Sequence, residues 1–337
     1  MPDAVSDSFL QDALPWQEDS WNRIREMVDQ DRLPHALLLN GPRGVGKELM
    51  ARRLAAALVC ESDQTDERPC GNCRSCELSQ AGTHPDIHWV APEEEGKAIK
   101  IDAIREMIGR SSLTTQARGL RVFVVSPADA MNRAAANALL KTLEEPVPSS
   151  VLVLVSSSLH RLPATILSRC QRIDIRPVEM AVASSWLKKW VDPDDAAIAL
   201  ALAGGAPLLA HRFVRENRVE QVLGLLNDLD ALKMRKANPV AVASQWKDMG
   251  SELVLDGLRR ILSDLFRSNS TNSTRMLPGK AGENLQALMK NINLRKLFGF
   301  LDELNRLERQ LGNNLNAQML AEKLVTSWLA TTRAENH

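Results

Sequence analysis

The sequence predicts an α/β nucleotide-binding domain followed by regions that contain only helices. Three observations favour this fold class: a glycine-rich loop, short apolar runs that alternate with helical patterns, and the end of such runs after Pro177. Alternation of this kind is typical of a parallel sheet covered by helices. The predicted strands lie at residues 36–39, 87–90, 122–125, 151–155 and 172–175.

A glycine-rich loop follows the first apolar run and leads into a helical pattern. Residues 41–47 read Gly-Pro-Arg-Gly-Val-Gly-Lys. In this motif backbone N–H groups surround nucleotide phosphates, and the lysine reaches their terminal oxygens. Binding of ATP or ADP is one interpretation of the loop, and an empty loop retained for packing is the other. The predicted nucleotide-binding residues are Gly41, Gly44, Gly46 and Lys47.

The residues that would catalyse ATP hydrolysis are missing from the two positions where they are expected. The position after Lys47 is ordinarily Ser or Thr, whose hydroxyl binds Mg²⁺, and here it is Glu48. The run at 122–125 is ordinarily followed by acidic residues that bind the metal and activate water, whereas Ser126 and Pro127 follow it here. We therefore expect no hydrolysis by this chain, since metal and water would lack their usual ligands.

Four cysteines lie close together in the sequence and form a candidate metal centre. Three occupy one short loop with the spacing C-x₂-C-x₂-C, and the fourth ends the helix after the glycine-rich loop. Four thiolates close a tetrahedral zinc site, and in a chain without an export signal metal ligation is favoured over disulfides. The alternatives are an iron–sulfur cluster, ligation by His84 or His88 in place of Cys60, and unligated thiols. The predicted zinc ligands are Cys60, Cys70, Cys73 and Cys76.

Composition and charge narrow the class of protein. The 337 residues are 44% hydrophobic and 25% charged with zero formal net charge, as in a soluble protein of two or three domains. This balance argues against a strongly basic stand-alone nucleic-acid binder, and the absence of Tyr argues against a base-stacking platform. Residues 1–14 lack the features of a secretory signal, and the longest apolar stretch, 196–210, is too short to span a bilayer. We therefore expect a cytoplasmic protein.

An ordered set of motifs runs along nearly the whole chain. These are Pro-His-Ala-Leu-Leu at 34–38, the cysteine loop, His-Pro-Asp at 84–86, Asn-Ala-Leu-Leu-Lys-Thr-Leu-Glu-Glu-Pro at 137–146, Ser-Arg-Cys at 168–170 and Asn-Asn-Leu-Asn at 313–316. The Ser-Arg-Cys triplet, which follows a Leu-Pro-x-Thr-Ile run, is the most specific of them. Together these motifs resemble the bacterial clamp-loader family of the AAA+ superfamily.

The resemblance implies a division into three domains. Residues 1–176 would form an AAA+ P-loop domain, a parallel sheet flanked by helices, with a zinc module at about 60–76. Residues 177–207 would form a small helical lid domain. Residues 208–337 would form a C-terminal helical collar domain through which subunits associate in a ring.

The resemblance also implies a role in chromosomal replication. Because the hydrolytic residues are missing, the chain would be a non-hydrolysing structural subunit of the clamp loader of a DNA-directed DNA polymerase (nucleotidyltransferase) holoenzyme. Arg169 would act as an arginine finger at the ATP site of a neighbouring gamma/tau subunit, with a surface salt bridge as the alternative role for this residue. The implied partners are the gamma/tau and delta subunits and, indirectly, the sliding clamp and primed DNA.

Two other functions remain as alternatives. The first is an ATP-hydrolysing motor subunit of the same machine, similar to gamma/tau, which predicts ATP turnover by the isolated chain. The second is a zinc-dependent interaction module outside replication, which predicts that the chain fails to assemble with clamp-loader subunits.

Three further segments give weaker signals. Thr114, Thr115, Arg118 and Arg121 are interpreted as part of an ordinary solvated loop, with contact to the duplex backbone as the alternative. Residues 267–279, rich in Ser, Asn and Thr, predict a loop between helices. A stripe of apolar residues predicts packing in a core or at a subunit contact; its members are Leu253, Leu258, Ile261, Leu262 and Leu265.

Overall fold

The computed structural model divides into two compact units, residues 1–182 and 183–337. The structure describes residues 14–64, 68–94, 96–110, 120–270, 277–289, 292–310 and 316–332. The boundaries predicted at residues 176 and 207 stay a prediction.

The first unit contains a five-stranded parallel sheet. Its strands are β1 (Ala36–Asn40), β2 (Ile87–Val90), β3 (Arg121–Val125), β4 (Ser150–Ser156) and β5 (Gln171–Asp174). They are ordered β2-β3-β4-β1-β5, and every neighbouring pair is parallel. Each of the five predicted runs forms one of these strands, which confirms the α/β fold class.

The strand order brings together the loops that follow β1, β3 and β4, at the carboxyl ends of these strands. β1 pairs with β4 so that Asn40 lies opposite Ser156, and β3 pairs with β4 so that Val125 lies opposite Leu154. The carboxyl ends of β1, β3 and β4 therefore meet, which is where parallel α/β sheets bind ligands. Residues 36–39 of β1 are fully buried, as expected for a central strand covered on both faces.

Among the described residues of the first unit, six α-helices lie between or before these strands. For two of these helices, the residue before the first turn explains where the helix begins. The helix after β1 begins behind Gly46, whose φ of 84° is accessible mainly to glycine. The helix after β3 begins behind Asn132, whose side chain accepts the N–H of Ala135 at 2.8 Å. The six are α1 (Glu18–Asp29), α2 (Lys47–Val59), α3 (Arg74–Gln80), α4 (Ile101–Arg110), α5 (Arg133–Glu144) and α6 (Ala164–Leu167).

One apolar cluster packs α4 and α5 against the sheet. Leu38, Phe123 and Leu152 of the sheet contact this cluster, together with Ile104 of α4 and Leu139 of α5. All five side chains are buried. Burial of apolar surface stabilises the unit by roughly 25 cal/mol per Å².

The second unit is helical throughout the part of the chain that the structure describes. A further helix, α7 (Met180–Leu187), spans the boundary between the two units. The helices of the second unit are α8 (Pro193–Leu202), α9 (Pro207–Arg215), α10 (Arg218–Lys233), α11 (Pro239–Met249), α12 (Ser251–Ser270), α13 (Gly279–Met289), α14 (Leu294–Gln310) and α15 (Ala317–Thr332).

Two tryptophans join three helices in the core of the second unit. Trp246 of α11 donates its indole N–H to Asp228 of α10 at 2.8 Å, and Trp328 of α15 donates to the carbonyl of Leu229 at 2.9 Å. Both rings are fully buried, so each brings a large apolar surface and satisfies its polar atom. Of the predicted apolar stripe on α12, Leu258, Ile261, Leu262 and Leu265 are buried and Leu253 is partly exposed.

The loop predicted at residues 267–279 is wrong in its first part, because α12 continues to Ser270. Residues 271–276 lie outside the described residues, and α13 begins at Gly279. The polar composition predicted a break, but the apolar stripe upstream packs α12 against α10 and α14. Tertiary packing of this kind extends a helix beyond what local propensity predicts.

Length and apolarity exclude a membrane span by any single helix among the described residues. The helices α8 and α9 meet such a test only as a pair, and that pair is bent by 116°.

Candidate nucleotide site and metal centre

The glycine-rich loop connects β1 to α2 at the carboxyl edge of the sheet. Gly44 and Gly46 have φ values of 76° and 84°, in the left-handed region that favours glycine. A Cβ atom on Gly41 would lie 2.3 Å from the carbonyl oxygen of Ile175, so a side chain does not fit there. The four residues predicted to bind nucleotide therefore lie on one tight loop whose glycines have steric reasons to be glycine.

Lys47 is held by its own loop. Its ammonium donates to the carbonyl of Pro42 at 2.6 Å, and the residue is only 6% exposed. Burial lowers the pKa of Lys47 from 10.5 to about 8; the negative charge of Asp129 opposes this shift, and the positive charge of Arg43 adds to it. The ammonium of Lys47, which would bind a phosphate, is thus buried and hydrogen-bonded to a backbone oxygen of the same loop.

A short 3-10 turn before α1, Pro15–Gln17, forms hydrogen bonds to the glycine-rich loop. Trp16 donates its indole N–H to the carbonyl of Val45 at 2.9 Å, and Gln17 donates its amide to the same oxygen at 2.7 Å. Gln17 is buried, so its bond lies in a medium where hydrogen bonds are electrostatically strong. No sequence motif predicts these two hydrogen bonds, and the sequence analysis did not identify Trp16 or Gln17 as part of the site.

At the two positions where ATP-hydrolysing proteins have metal and water ligands, this chain has Glu48 and Ser126, and both form hydrogen bonds within the protein. Glu48 accepts a hydrogen bond from Arg52, one turn along α2, at 3.3 Å. Ser126 is buried at the end of β3 and donates its backbone N–H to the carbonyl of Val90 at 3.0 Å. Neither position offers an acidic pair for metal and water.

One acid at this edge of the sheet was not predicted. Asp129 is buried, and its carboxylate accepts the backbone N–H of Ser157 at 2.9 Å, which ties the segment after β3 to the segment after β4. It lies close enough to oppose the fall in the pKa of Lys47. Because the expected acids belong two or three positions earlier, spacing alone could not identify it.

Arg169 follows α6 and is held on the surface of the first unit. Its guanidinium donates to Glu144 at 2.7 Å and to the carbonyl of Thr165 at 3.1 Å. The side chains of Arg169 and Glu144 are 36% and 53% exposed. The neighbouring Cys170 packs against the core, and burial raises the pKa of its thiol to about 11, so this thiol acts as a small apolar group.

The four predicted cysteine ligands come together in space. Their sulfur atoms all lie within 4.8 Å of one another. Cys60 and Cys73 are 3.9 Å apart between sulfurs, and Cys70 and Cys76 are 4.0 Å apart. A tetrahedral ion at about 2.3 Å from each sulfur requires sulfur–sulfur separations of roughly 3.8 Å. The cluster therefore has the geometry of a closed tetrahedral metal site.

The backbone around the cluster directs N–H groups at the sulfurs. Gly71 has a φ of 75°, which turns the chain between Cys70 and Cys73. The sulfur of Cys73 accepts from the N–H groups of Glu61 at 3.5 Å and Cys76 at 3.4 Å. Donors of this kind stabilise thiolate sulfurs and orient metal ligands.

The thiols of the cluster differ in their acidity. Hydrogen bonding from the backbone of Asn72 lowers the pKa of Cys70 to about 7. Burial raises the pKa of Cys60 and of Cys76. Buried thiols of this kind are costly to ionise unless a cation is coordinated to them, in which case the metal deprotonates its ligands. The donor set thus suits a metal ion that prefers thiolate sulfur.

The geometry favours Cys60 over a histidine as the fourth member of the cluster. Both ring nitrogens of His84 have other partners: Nδ1 accepts the N–H of Asp86 at 3.1 Å, and Nε2 lies 3.3 Å from the hydroxyl of Ser75. The ring of His88 stacks on Phe123 with centroids 5.3 Å apart. Cys60 itself belongs to the cluster.

The alternative of DNA contact is wrong for Arg121. This residue begins β3, is 3% exposed, and donates to the carbonyl of Arg110 at 2.8 Å. Its guanidinium lies 3.9 Å from the carboxylate of Asp86. The other three residues of that suggestion, Thr114, Thr115 and Arg118, lie outside the described residues.

Comparison with known proteins identifies the family. The model described as DNA polymerase III, delta subunit, matches residues 16–179, and the model for the C-terminal part of that subunit matches residues 216–330. DNA polymerase III subunit delta-prime of Pseudomonas aeruginosa is 36% identical over 332 residues, which cover 95% of this chain and 98% of that protein. The chain belongs to the DNA polymerase III delta-prime family.

Other relatives agree with this assignment. The delta-prime subunit of Bacillus subtilis is 27% identical over 329 residues, 93% of this chain and 98% of that protein. DNA polymerase III subunit tau of the same organism is 27% identical over 326 residues, 91% of this chain and 55% of that protein. Membership of the delta-prime family confirms the resemblance to bacterial clamp loaders and, with the parallel sheet and the C-terminal helices, the AAA+ fold class.

Proposed function

We propose that this delta-prime family member is a subunit of the DNA polymerase III clamp loader that does not hydrolyse ATP. In this role it assembles with gamma/tau and delta subunits in the cytoplasm and supports loading of the sliding clamp onto primed DNA. Family membership supports the replication role. Polymerase chemistry would reside in other subunits of the holoenzyme.

The observation that carries the non-hydrolysing role is the state of Lys47. Its ammonium is buried and donates to Pro42 of the same loop at 2.6 Å. Contact between Lys47 and a phosphate would have to break that bond, in a loop to which Trp16 and Gln17 also bind through the carbonyl of Val45. Even with nucleotide bound, Glu48 and Ser126 stand where the metal and water ligands would be needed.

Arg169 is our candidate arginine finger for the ATP site of a gamma/tau neighbour. Its partner in the free chain is Glu144, in an exposed salt bridge, and such pairs contribute only about 0–1 kcal/mol. The guanidinium can therefore leave Glu144 at low cost. The planar guanidinium would then bind the phosphate oxygens of ATP at the neighbouring site, over which the negative charge is delocalised. A purely structural surface salt bridge is the competing role.

The cysteine cluster is proposed to hold one structural zinc ion. The sulfur–sulfur separations of 3.9 and 4.0 Å suit tetrahedral coordination, and four thiolates leave no open position for a substrate. When bound, the ion would supply folding energy to a loop that has little core of its own. Cys60, Cys70, Cys73 and Cys76 would hold it.

Reconstitution with gamma/tau and delta subunits tests the role of Arg169. We expect Arg169→Ala complexes to assemble normally but to hydrolyse ATP and load clamps at least about 10³-fold more slowly at the affected site. Arg172→Ala is the matched control, because Arg172 is also exposed and paired, with Asp174. Unchanged rates in the Arg169→Ala complex would reject the arginine finger and leave the surface salt bridge.

The motor alternative is tested with the isolated chain. ATP turnover that disappears in a Lys47→Ala variant would favour a hydrolysing subunit similar to gamma/tau. Failure to assemble with gamma/tau and delta subunits would instead favour an interaction module of another complex.

A further inference from the structure

A groove of about 280 Å³ lies between α2 and the cysteine loop of the first unit. One wall is formed by α2, with the side chains of Arg52 and Arg53. The opposite wall is formed by the loop and α3, with Asn72 and Gln80 among its residues. The groove is therefore lined by two arginine side chains from α2 and by a mixed wall that includes the amides of Asn72 and Gln80 and two of the clustered cysteines, Cys70 and Cys76.

Arg53 is a half-buried cation that lies over an aromatic ring. Its guanidinium carbon lies 4.1 Å from the centroid of the Trp21 ring, and among the described residues it makes no hydrogen bond or ion pair. Burial lowers its pKa, the positive charge of Arg25 lowers it further, and Glu18 opposes both effects. An anion in the groove would relieve this unfavourable environment.

Arg52 forms an ion pair with Glu48, and its other donors make no hydrogen bond among the described residues. Its guanidinium carbon lies 5.1 Å from the centroid of Trp89, and within the described structure it donates one hydrogen bond, to Glu48 at 3.3 Å. A guanidinium carries five N–H donors. Both guanidinium groups thus lie over an indole ring, and a planar guanidinium fork loses little entropy for each hydrogen bond that it forms with a ligand.

The arrangement suits a carboxylate presented by a peptide. A guanidinium fork binds a carboxylate through two parallel hydrogen bonds, and the amides of Asn72 and Gln80 can bind peptide backbone on the other wall. A nucleic-acid backbone is favoured less, because such binding draws its affinity from many phosphate contacts. The groove offers two cations in a chain whose net charge is zero.

We propose that this groove is a docking site for an acidic segment of a partner protein, in which a Glu or Asp carboxylate pairs with Arg53 and is assisted by Arg52. The cysteine loop then forms one wall of a recognition site. This inference adds an interaction to the proposed function and does not depend on Arg169 or on ATP.

Binding of a fluorescein-labelled hexaglutamate peptide to the full chain tests the proposal. Anisotropy should report binding that Arg53→Gln weakens about tenfold or more, because a charge-assisted hydrogen bond is lost, and that Arg52→Gln weakens by a smaller factor. Arg105→Gln is the matched control, since it removes one exposed cation from α4 of the same unit. A thermal melt of each variant identifies any loss of folding.

A second measurement uses the wild-type chain alone. Of the seven tryptophans, the indole N–H signals of Trp21 and Trp89 should shift on addition of the peptide, because these rings lie under the two guanidiniums. Unchanged Trp21 and Trp89 signals would overturn the proposal, and so would equal affinity of the Arg53→Gln and wild-type chains. A thymidine hexanucleotide that binds more tightly than the peptide, with the same dependence on Arg53, would overturn it in favour of nucleic acid.

Discussion

Replacement of the buried lysine of the glycine-rich loop should make the protein more stable. Lys47 is 6% exposed, and burial lowers its pKa from 10.5 to about 8. At about 1.4 kcal/mol for each pKa unit, the buried ammonium costs about 3 kcal/mol at pH 7. Lys47→Met keeps the length of the side chain and removes the charge. Loss of the bond to Pro42 offsets roughly 1 kcal/mol of the gain, so we expect a net stabilisation of about 2 kcal/mol.

The dependence of this gain on pH gives a sharper test. Below pH 8 the lysine is charged in both the folded and the unfolded chain, so the full cost is present. Between about 8 and 10.5 the folded state releases its proton first, and the stability of the wild type therefore rises with pH. The advantage of Lys47→Met should fall by about 2 kcal/mol between pH 7 and pH 10.

Urea denaturation followed by circular dichroism at pH 7 and pH 10 measures both quantities. Lys141→Met, which removes an exposed charge from α5 of the same unit, controls for the change in net charge. A Lys47→Met chain that is less stable than the wild type at pH 7, with a difference that does not change at pH 10, would refute the reasoning. The ammonium would then be solvated or paired in the free protein, and the loop would be open.

Two further predictions concern the cysteine cluster and the buried ion pair. Elemental analysis should find about one zinc per chain, lost in Cys73→Ser but retained in Cys170→Ser, because Cys170 lies outside the cluster; retention of metal by Cys73→Ser would argue against four-thiolate coordination. Asp86→Asn should lower the free energy of unfolding by about 3 kcal/mol, since it leaves the buried guanidinium of Arg121 without its carboxylate. Asp102→Asn, in an exposed pair with Arg105, should cost less than about 1 kcal/mol, and equal losses in the two variants would show that the buried pair has no special role.

The fold was predictable because its signals are local. Four of the strands are short runs rich in apolar residues, whereas β5 contains only Ile173 among polar neighbours. Alternation of such runs with helical patterns predicts a parallel sheet. The cysteines were predictable for a similar reason, since close spacing in sequence forces their sulfurs near one another. In contrast, the end of α12 depends on packing upstream, so the polar composition after Arg267 gave a wrong boundary.

The parts of the site that escaped prediction depend on contacts between distant segments. Gln17 reaches Val45 across 28 positions, and Asp129 reaches Ser157 across 28 positions as well. No rule of sequence spacing predicts a hydrogen bond between residues that far apart in the chain. Arg121 was misjudged for the same reason: a basic residue beside a polar segment resembles a solvated group, whereas the sheet places it opposite Asp86.

Steady-state ATP hydrolysis by the purified, metal-loaded chain tests the central claim most directly, with Lys47→Ala as the matched control for contaminating activity. We predict that the wild-type chain turns over no more ATP than the Lys47→Ala variant. ATP turnover by the wild type that Lys47→Ala abolishes would contradict the account, because the loop would then support the chemistry for which Glu48 and Ser126 leave no ligands.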